Sequence, residues 1–204
     1  SSYTFELTDD ERDILRNGTT DADSRTVYFY LRTVIGGNIL FTKLAKTLTI
    51  VNCSPTLTAT VVDSDTVANS LTGNVNSFIR YYSDASYSIG ATAYKGASIV
   101  SRTFTVGGTV YTASSGVIEN VEDASFIFSV TDSRGNTVSE VVDKTLIPYV
   151  KLSCNLQSTT PTGEGEVILT ISGNYFNGSF GSTSNSLVIS YRYKTGSGSY
   201  GNWT

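Results

Sequence analysis

Apolar and polar residues alternate with a period of two along much of this chain. In TVYFYLRTV, Val27, Phe29 and Leu31 fall on one face and Tyr28, Tyr30 and Arg32 on the other. SYSIGATA alternates Tyr87, Ile89, Ala91 and Ala93 with Ser88, Gly90 and Thr92, and FIFSV places Phe126, Phe128 and Val130 on one side. EVILTIS offers Val167, Leu169 and Ile171, and LVISYRY offers Leu187, Ile189, Tyr191 and Tyr193. Each pattern predicts a half-buried antiparallel strand with its apolar face on a core. The core of the central region is therefore expected to contain Tyr87, Ile89, Phe126 and Phe128.

One segment reads as helix. Thr8-Asp9-Asp10-Glu11 has the spacing of a capping box, in which the Thr8 hydroxyl and the Glu11 carboxylate satisfy two of the first helical N–H groups. Ile14 and Leu15 follow, and Asn17-Gly18 is a stop signal, so one or two turns are predicted between strands.

VTDSRGNTVS, from Val130 to Ser139, admits two readings. As a hairpin corner, Asp132 accepts hydrogen bonds from N–H groups two residues on, and Gly135 takes a positive φ without steric cost. As a calcium loop it would need about six to eight oxygen ligands. Only Asp132 is available locally, and Arg134 would sit beside the ion. The corner is the better reading. The ion alternative stays attached to Asp132 and to Asp63 and Asp65 in VVDSDTV, where the bland reading is a loop following a strand.

Composition narrows the function classes. Of 204 residues, 39% are hydrophobic and 16% charged, enough for packed cores. The net charge of −4, with Lys and Arg scattered, argues against a phosphate-tracking surface, so no nucleic acid is expected as a partner. No apolar run approaches the roughly 20 residues of a spanning helix, and SSYTFELTDD lacks a signal peptide's basic and apolar regions, so no membrane insertion is expected. Two cysteines, Cys53 and Cys154, are too few for a disulfide framework.

Histidine is absent, which removes the commonest general base and transition-metal ligand, and with them Ser/His/Asp and Cys/His constellations. Glu164 and Glu166 in GEGEV are spaced to share a strand face, but flanking glycines make a solvated segment the better reading than a catalytic pair. The turns IGGNI and VGGTV lack the Lys-Ser/Thr ending of a phosphate loop. Neither an active site nor a cofactor is expected. The remaining candidates are aromatic: Tyr81, Tyr82 and Tyr87, then Tyr191, Tyr193, Tyr200 and Trp203. Alternation assigns Tyr191 and Tyr193 to a core, leaving Tyr82, Tyr200 and Trp203 as candidate ligand contacts whose rings could stack on a sugar or anchor a protein.

Breaks in the pattern at NCSPT and IPYVKLS divide the chain, since Pro55 and Pro148 hold the preceding residue extended. Residues 53–150 have the length and strand count of one complete immunoglobulin-like β-sandwich. Residues 1–52, with the short helix, and 151–204 offer too few strands to close a sandwich, so each is expected to be part of a further β domain. The fold class expected is all-β, as tandem sandwiches with the middle one complete and the flanking ones partial.

The succession VYFYLRTVIGGNILFTKLAKTLTI, LTG…FIRYYSDA, FIFSVTDSRGNTVS, IPYVKLS and SYRYKTGSGSYGNW resembles the immunoglobulin-like repeats in tail and baseplate minor structural proteins of long-tailed bacteriophages and prophages of Gram-positive bacteria. The resemblance covers nearly the whole chain, and LTG…FIRYYSDA followed by VTDSRGN is its most specific part. It implies a component of the virion tail, made in the bacterial cytoplasm and assembled with other tail or baseplate proteins and with copies of itself. It brings no ligand or active site with it. The expected function is a non-enzymatic spacer and interaction module contributing to host-surface attachment. The alternative is a carbohydrate-binding adhesin module, of a phage receptor-binding protein or a bacterial surface protein, with host cell-wall polysaccharide as its partner.

Overall fold

A computed structural model describes residues 4–159, 163 and 167–204. The chain is all-β. In order, its elements are α1 (Asp9–Asn17), β1 (Ser24–Ile35), β2 (Asn38–Thr49), β3 (Thr56–Asp63), α2 (Thr66–Thr72), β4 (Ser77–Ile79), β5 (Ala85–Thr92), β6 (Ile99–Val106), β7 (Thr109–Tyr111), β8 (Ser115–Ile118), β9 (Ser125–Asp132), β10 (Thr137–Asp143), β11 (Thr145–Ile147), β12 (Ser153–Thr159) and β13 (Ile168–Asn174). No helix among the described residues is long and apolar enough to cross a membrane.

The packing defines two units that interleave along the sequence. The first holds the described residues up to Val62 together with Ala85–Ile118 and Asp123–Lys144. The second holds Asp63–Asp84, Glu119–Glu122 and the described residues from Thr145 to Thr204.

In the first unit, a sheet in the order β3-β5-β8 faces one in the order β10-β9-β6-β7, giving a sandwich. Tyr87 of β5 stacks on Phe104 of β6 with ring centres 4.0 Å apart, and Phe126 and Phe128 lie 5.8 and 5.0 Å from the same ring. Phe104, Phe126, Phe128 and Val130 are fully buried, and Tyr87 and Ile89 nearly so. The alternation in FIFSV and SYSIGATA thus places the apolar face inward as expected.

The turn between β9 and β10 is the predicted hairpin corner. Asp132 Oδ1 accepts from the N–H groups of Arg134 and Asn136, both at 2.9 Å, and Gly135 has φ +88°. Arg134 adds what local reading does not supply. Its buried guanidinium donates to the carbonyls of Arg16, Thr19, Tyr94 and Lys95, fastening the C-terminal end of α1 and the 94–95 loop to the corner. Gly96, at φ +79°, makes that approach possible, since a Cβ there would lie 2.6 Å from Asn17 Cα. At the other end of α1 the capping box is formed, with Glu11 N–H donating to Thr8 Oγ1 and Thr8 N–H to Glu11 Oε2.

Beside the corner, Asp23 Oδ1 accepts from the Cys53 thiol at 3.1 Å and from Asn136 Nδ2 at 2.9 Å. Burial, with the Asp23 carboxylate adding to it, pushes the Cys53 thiol above its usual range. Cys53 is buried and Cys154 exposed, and both are free thiols.

β1 and β2 form a hairpin in which all twelve positions of each strand are paired. Here the expectation of one covered face fails. Val27 and Phe29 are half-buried, but Leu31 and Phe41 are each 67% exposed, and Tyr28, Tyr30, Val34, Ile35, Ile39, Leu40 and Leu44 are also exposed. The hairpin carries Arg25, Arg32, Lys43 and Lys46 and no acidic residue, so all eighteen Asp and Glu of the chain lie outside it.

In the second unit, β4 pairs in parallel with β11, and β12 pairs antiparallel with β13. Its core gathers Ala68 of α2, Ile79, Ile147 and Phe180, with Leu71, Tyr149 and Phe176 packed against them. Two expectations are corrected. Residues 187–193 join no sheet, because their backbone bonds run instead to the end of the chain: Tyr191 exchanges two bonds with Thr204, and Gly201 N–H reaches Tyr193 O. Tyr191 and Tyr193 are accordingly exposed rather than core. Leu169 and Ile171, on β13, are exposed as well, and Val167 precedes that strand. Glu164 and Glu166 lie outside the described residues.

Candidate functional site

Asp63 and Asp65 serve structural roles in the second unit. Asp63 is buried; its Oδ1 accepts from Asp65 N–H at 2.9 Å and Asp84 N–H at 3.2 Å, and its Oδ2 from the Ser83 hydroxyl at 2.6 Å. Asp65 is the N-cap of α2, accepting Ala68 N–H at 2.7 Å. The short loop that follows β3, as expected here, leads directly into α2. In the first unit, Asp132 spends Oδ1 on the corner, while its buried Oδ2 meets no donor among the described residues. One carboxylate is far short of a calcium shell, and no group of three or more His, Cys, Asp or Glu suited to an ion occurs among the described residues. Excess EDTA is therefore expected to leave the melting temperature unchanged; a fall restored by added calcium would return Asp63, Asp65 or Asp132 to the role of ligands.

Tyr82 stands at an aromatic cleft. The second unit contains a cavity of about 310 Å³ lined by Asp65, Val67, Ala68 and Leu71 from the cap and body of α2, Ile79 from β4, Tyr82, Tyr149 just after β11, and Phe180, Thr183, Ser184 and Asn185 from a turn. That turn is tied down locally: Phe180 N–H donates to Thr183 O, and the Ser182 hydroxyl to Leu71 O at 2.6 Å. Tyr82 meets Tyr149 edge-on, with ring centres 5.0 Å apart at 87°. Tyr149 in turn lies 6.0 Å from Phe180 and 5.8 Å from Phe176.

Backbone strain helps present Tyr82. The preceding residue, Tyr81, has φ +69°, a left-handed conformation that costs a bulky side chain energy and is kept only where the surroundings enforce it. The enforcing bonds are Tyr81 N–H to Val121 O and the N–H groups of Tyr82 and Ser83 to Ile79 O. The result leaves Tyr82 51% exposed at the mouth of the cleft. Burial pushes the Tyr149 phenol above its usual range, and the Tyr82 hydroxyl beside it adds to the effect.

Tyr200 and Trp203 come together on the terminal hairpin, around a cation of their own chain. The Arg192 guanidinium lies 4.6 Å from the Tyr200 ring centre and 4.4 Å from that of Trp203, and Lys194 is 5.2 Å from Tyr200. Each ring has one face engaged in this cation–π stack, although both residues remain exposed. Of the three aromatic candidates, Tyr82 is the one that lines this cavity. Tyr149, Phe180 and Asn185, which sequence reasoning did not single out, complete its wall. Pro148-Tyr149 was visible as a break in pattern, but nothing local to NGSFGS signals a binding wall.

Compared with known proteins, the chain matches no protein-family model and no curated protein.

Proposed function

We propose that this chain is a non-enzymatic structural and interaction module of a phage tail or baseplate, assembled with copies of itself and with other tail proteins in the virion. The observation that carries this reading is the β1–β2 hairpin. Two twelve-residue strands pair with each other while most of their apolar side chains, on both faces, stand in water. A patch of that kind on a folded surface marks a place for further protein. The charge supports the same reading, because a hairpin with basic residues only is complementary to the acidic remainder of another copy. Gold-labelled antibody against the chain, applied to phage particles released from the encoding bacterium, is expected to decorate the tail. Label confined to the bacterial envelope would overturn the assignment.

The second reading, a carbohydrate-binding adhesin module, draws its support from the Tyr82 cleft. Aromatic walls with polar groups at the rim suit a sugar's apolar and hydroxylated faces.

A further inference from the structure

The chemistry of the Tyr82 cleft restricts what it accepts. Tyr82 and Tyr149, set at right angles to each other, both line the cavity, whose volume of about 310 Å³ has room for a single six-membered sugar ring. Besides the two tyrosines, Asp65, Thr183, Ser184 and Asn185 bring polar side chains to the cavity lining. Asp65 accepts Ala68 N–H on Oδ1, and the second oxygen of its carboxylate is a further acceptor. Asn185 donates Nδ2 to Phe176 O at 2.6 Å, which holds the amide in place and leaves Oδ1 as an acceptor. Thr183 contributes a hydroxyl. Neither Lys nor Arg lines the cavity, so its one formal charge is negative.

We propose that this cleft binds a non-anionic pyranose, neutral or amine-bearing, within a surface polysaccharide, with Tyr82 stacking on the ring and Asp65 accepting from a hydroxyl or ammonium group. The inference rests on the carbohydrate-binding reading and adds its charge selectivity. Phosphorylated and uronic sugars would bring a second negative charge against Asp65, in a pocket with no cation to offset it.

The test is ligand-observed NMR with the full chain against a panel of neutral, amino and acidic monosaccharides and their methyl glycosides. Neutral or amino sugars are expected to bind at least tenfold more tightly than acidic ones, and Tyr82→Ala to weaken that binding at least tenfold. Asp65→Asn keeps a good N-cap residue while removing the charge, so it should preserve the fold and narrow the gap between neutral and acidic sugars. Acidic sugars binding as tightly as neutral ones would overturn the charge selectivity and leave the carbohydrate reading standing. Binding untouched by Tyr82→Ala, in a variant with unchanged melting temperature, would show that the cleft is not the site. Binding of no sugar in the panel would overturn both.

Discussion

Phe128→Ala is expected to lower the unfolding free energy by about 3–5 kcal/mol. Phe128 is fully buried on β9, and its ring packs 5.0 Å from Phe104, which stacks on Tyr87 from the facing sheet. Truncation removes apolar contact and leaves a void between two sheets whose backbones are fixed by their ladders, so the cavity cannot collapse cheaply. The measurement is the urea midpoint at unchanged m. A loss below about 1 kcal/mol, far under the range for a buried aromatic, would mean that the core lies elsewhere.

Arg134→Met is expected to cost about 1–3 kcal/mol, because the buried Thr19 carbonyl loses its donor, whereas Arg16 O and Tyr94 O keep bonds from Thr19 N–H and Ala97 N–H. Arg134 is buried, and its guanidinium donates to four backbone carbonyls, those of Arg16, Thr19, Tyr94 and Lys95. Methionine fills much of the volume but donates nothing. Arg134→Lys should recover less than half of the loss, since an ammonium cannot reproduce the planar fork that reaches several carbonyls at once. Hydrogen exchange should accelerate first in α1, whose C-terminal end the side chain holds. A variant as stable as the parent would show that the corner, not the arginine, carries this junction.

These two sites differ in how much of them could be read from the sequence. Phe126, Phe128 and Val130 were legible because a period of two in five residues already specifies a buried face. The role of Asp132 was legible for a similar reason, since its partners are two and four residues away. Arg134 was not legible. Its acceptors come from positions 16, 19, 94 and 95, and no local pattern brings those segments to residue 134.

Helix α2 is an intermediate case. Asp65 caps it and Gly73, at φ +67°, ends it, but its apolar positions Val67, Ala68 and Leu71 span less than two turns, too short a run to announce a helix. In LVISYRY the alternation was present but misled, since period two reports a strand's own pattern and not whether a sheet exists to receive it. The cleft assembles residues near 65–82, 149 and 180–185, so Tyr82 could be flagged only as an aromatic in a cluster and Asp65 only as an ion candidate.

We propose that the chain works through assembly, with the β1–β2 hairpin as the surface that is covered. Sedimentation velocity over a wide concentration range, comparing the parent with a Leu31→Lys/Phe41→Lys variant, tests it most directly. Both side chains point into water, 67% exposed in each case, so the substitutions should leave the folded chain's stability nearly unchanged. The account predicts association that grows with concentration, weakens with added salt, and is abolished in the variant. A parent chain that sediments as a monomer at every concentration, with the hairpin amides already protected from exchange, would contradict it.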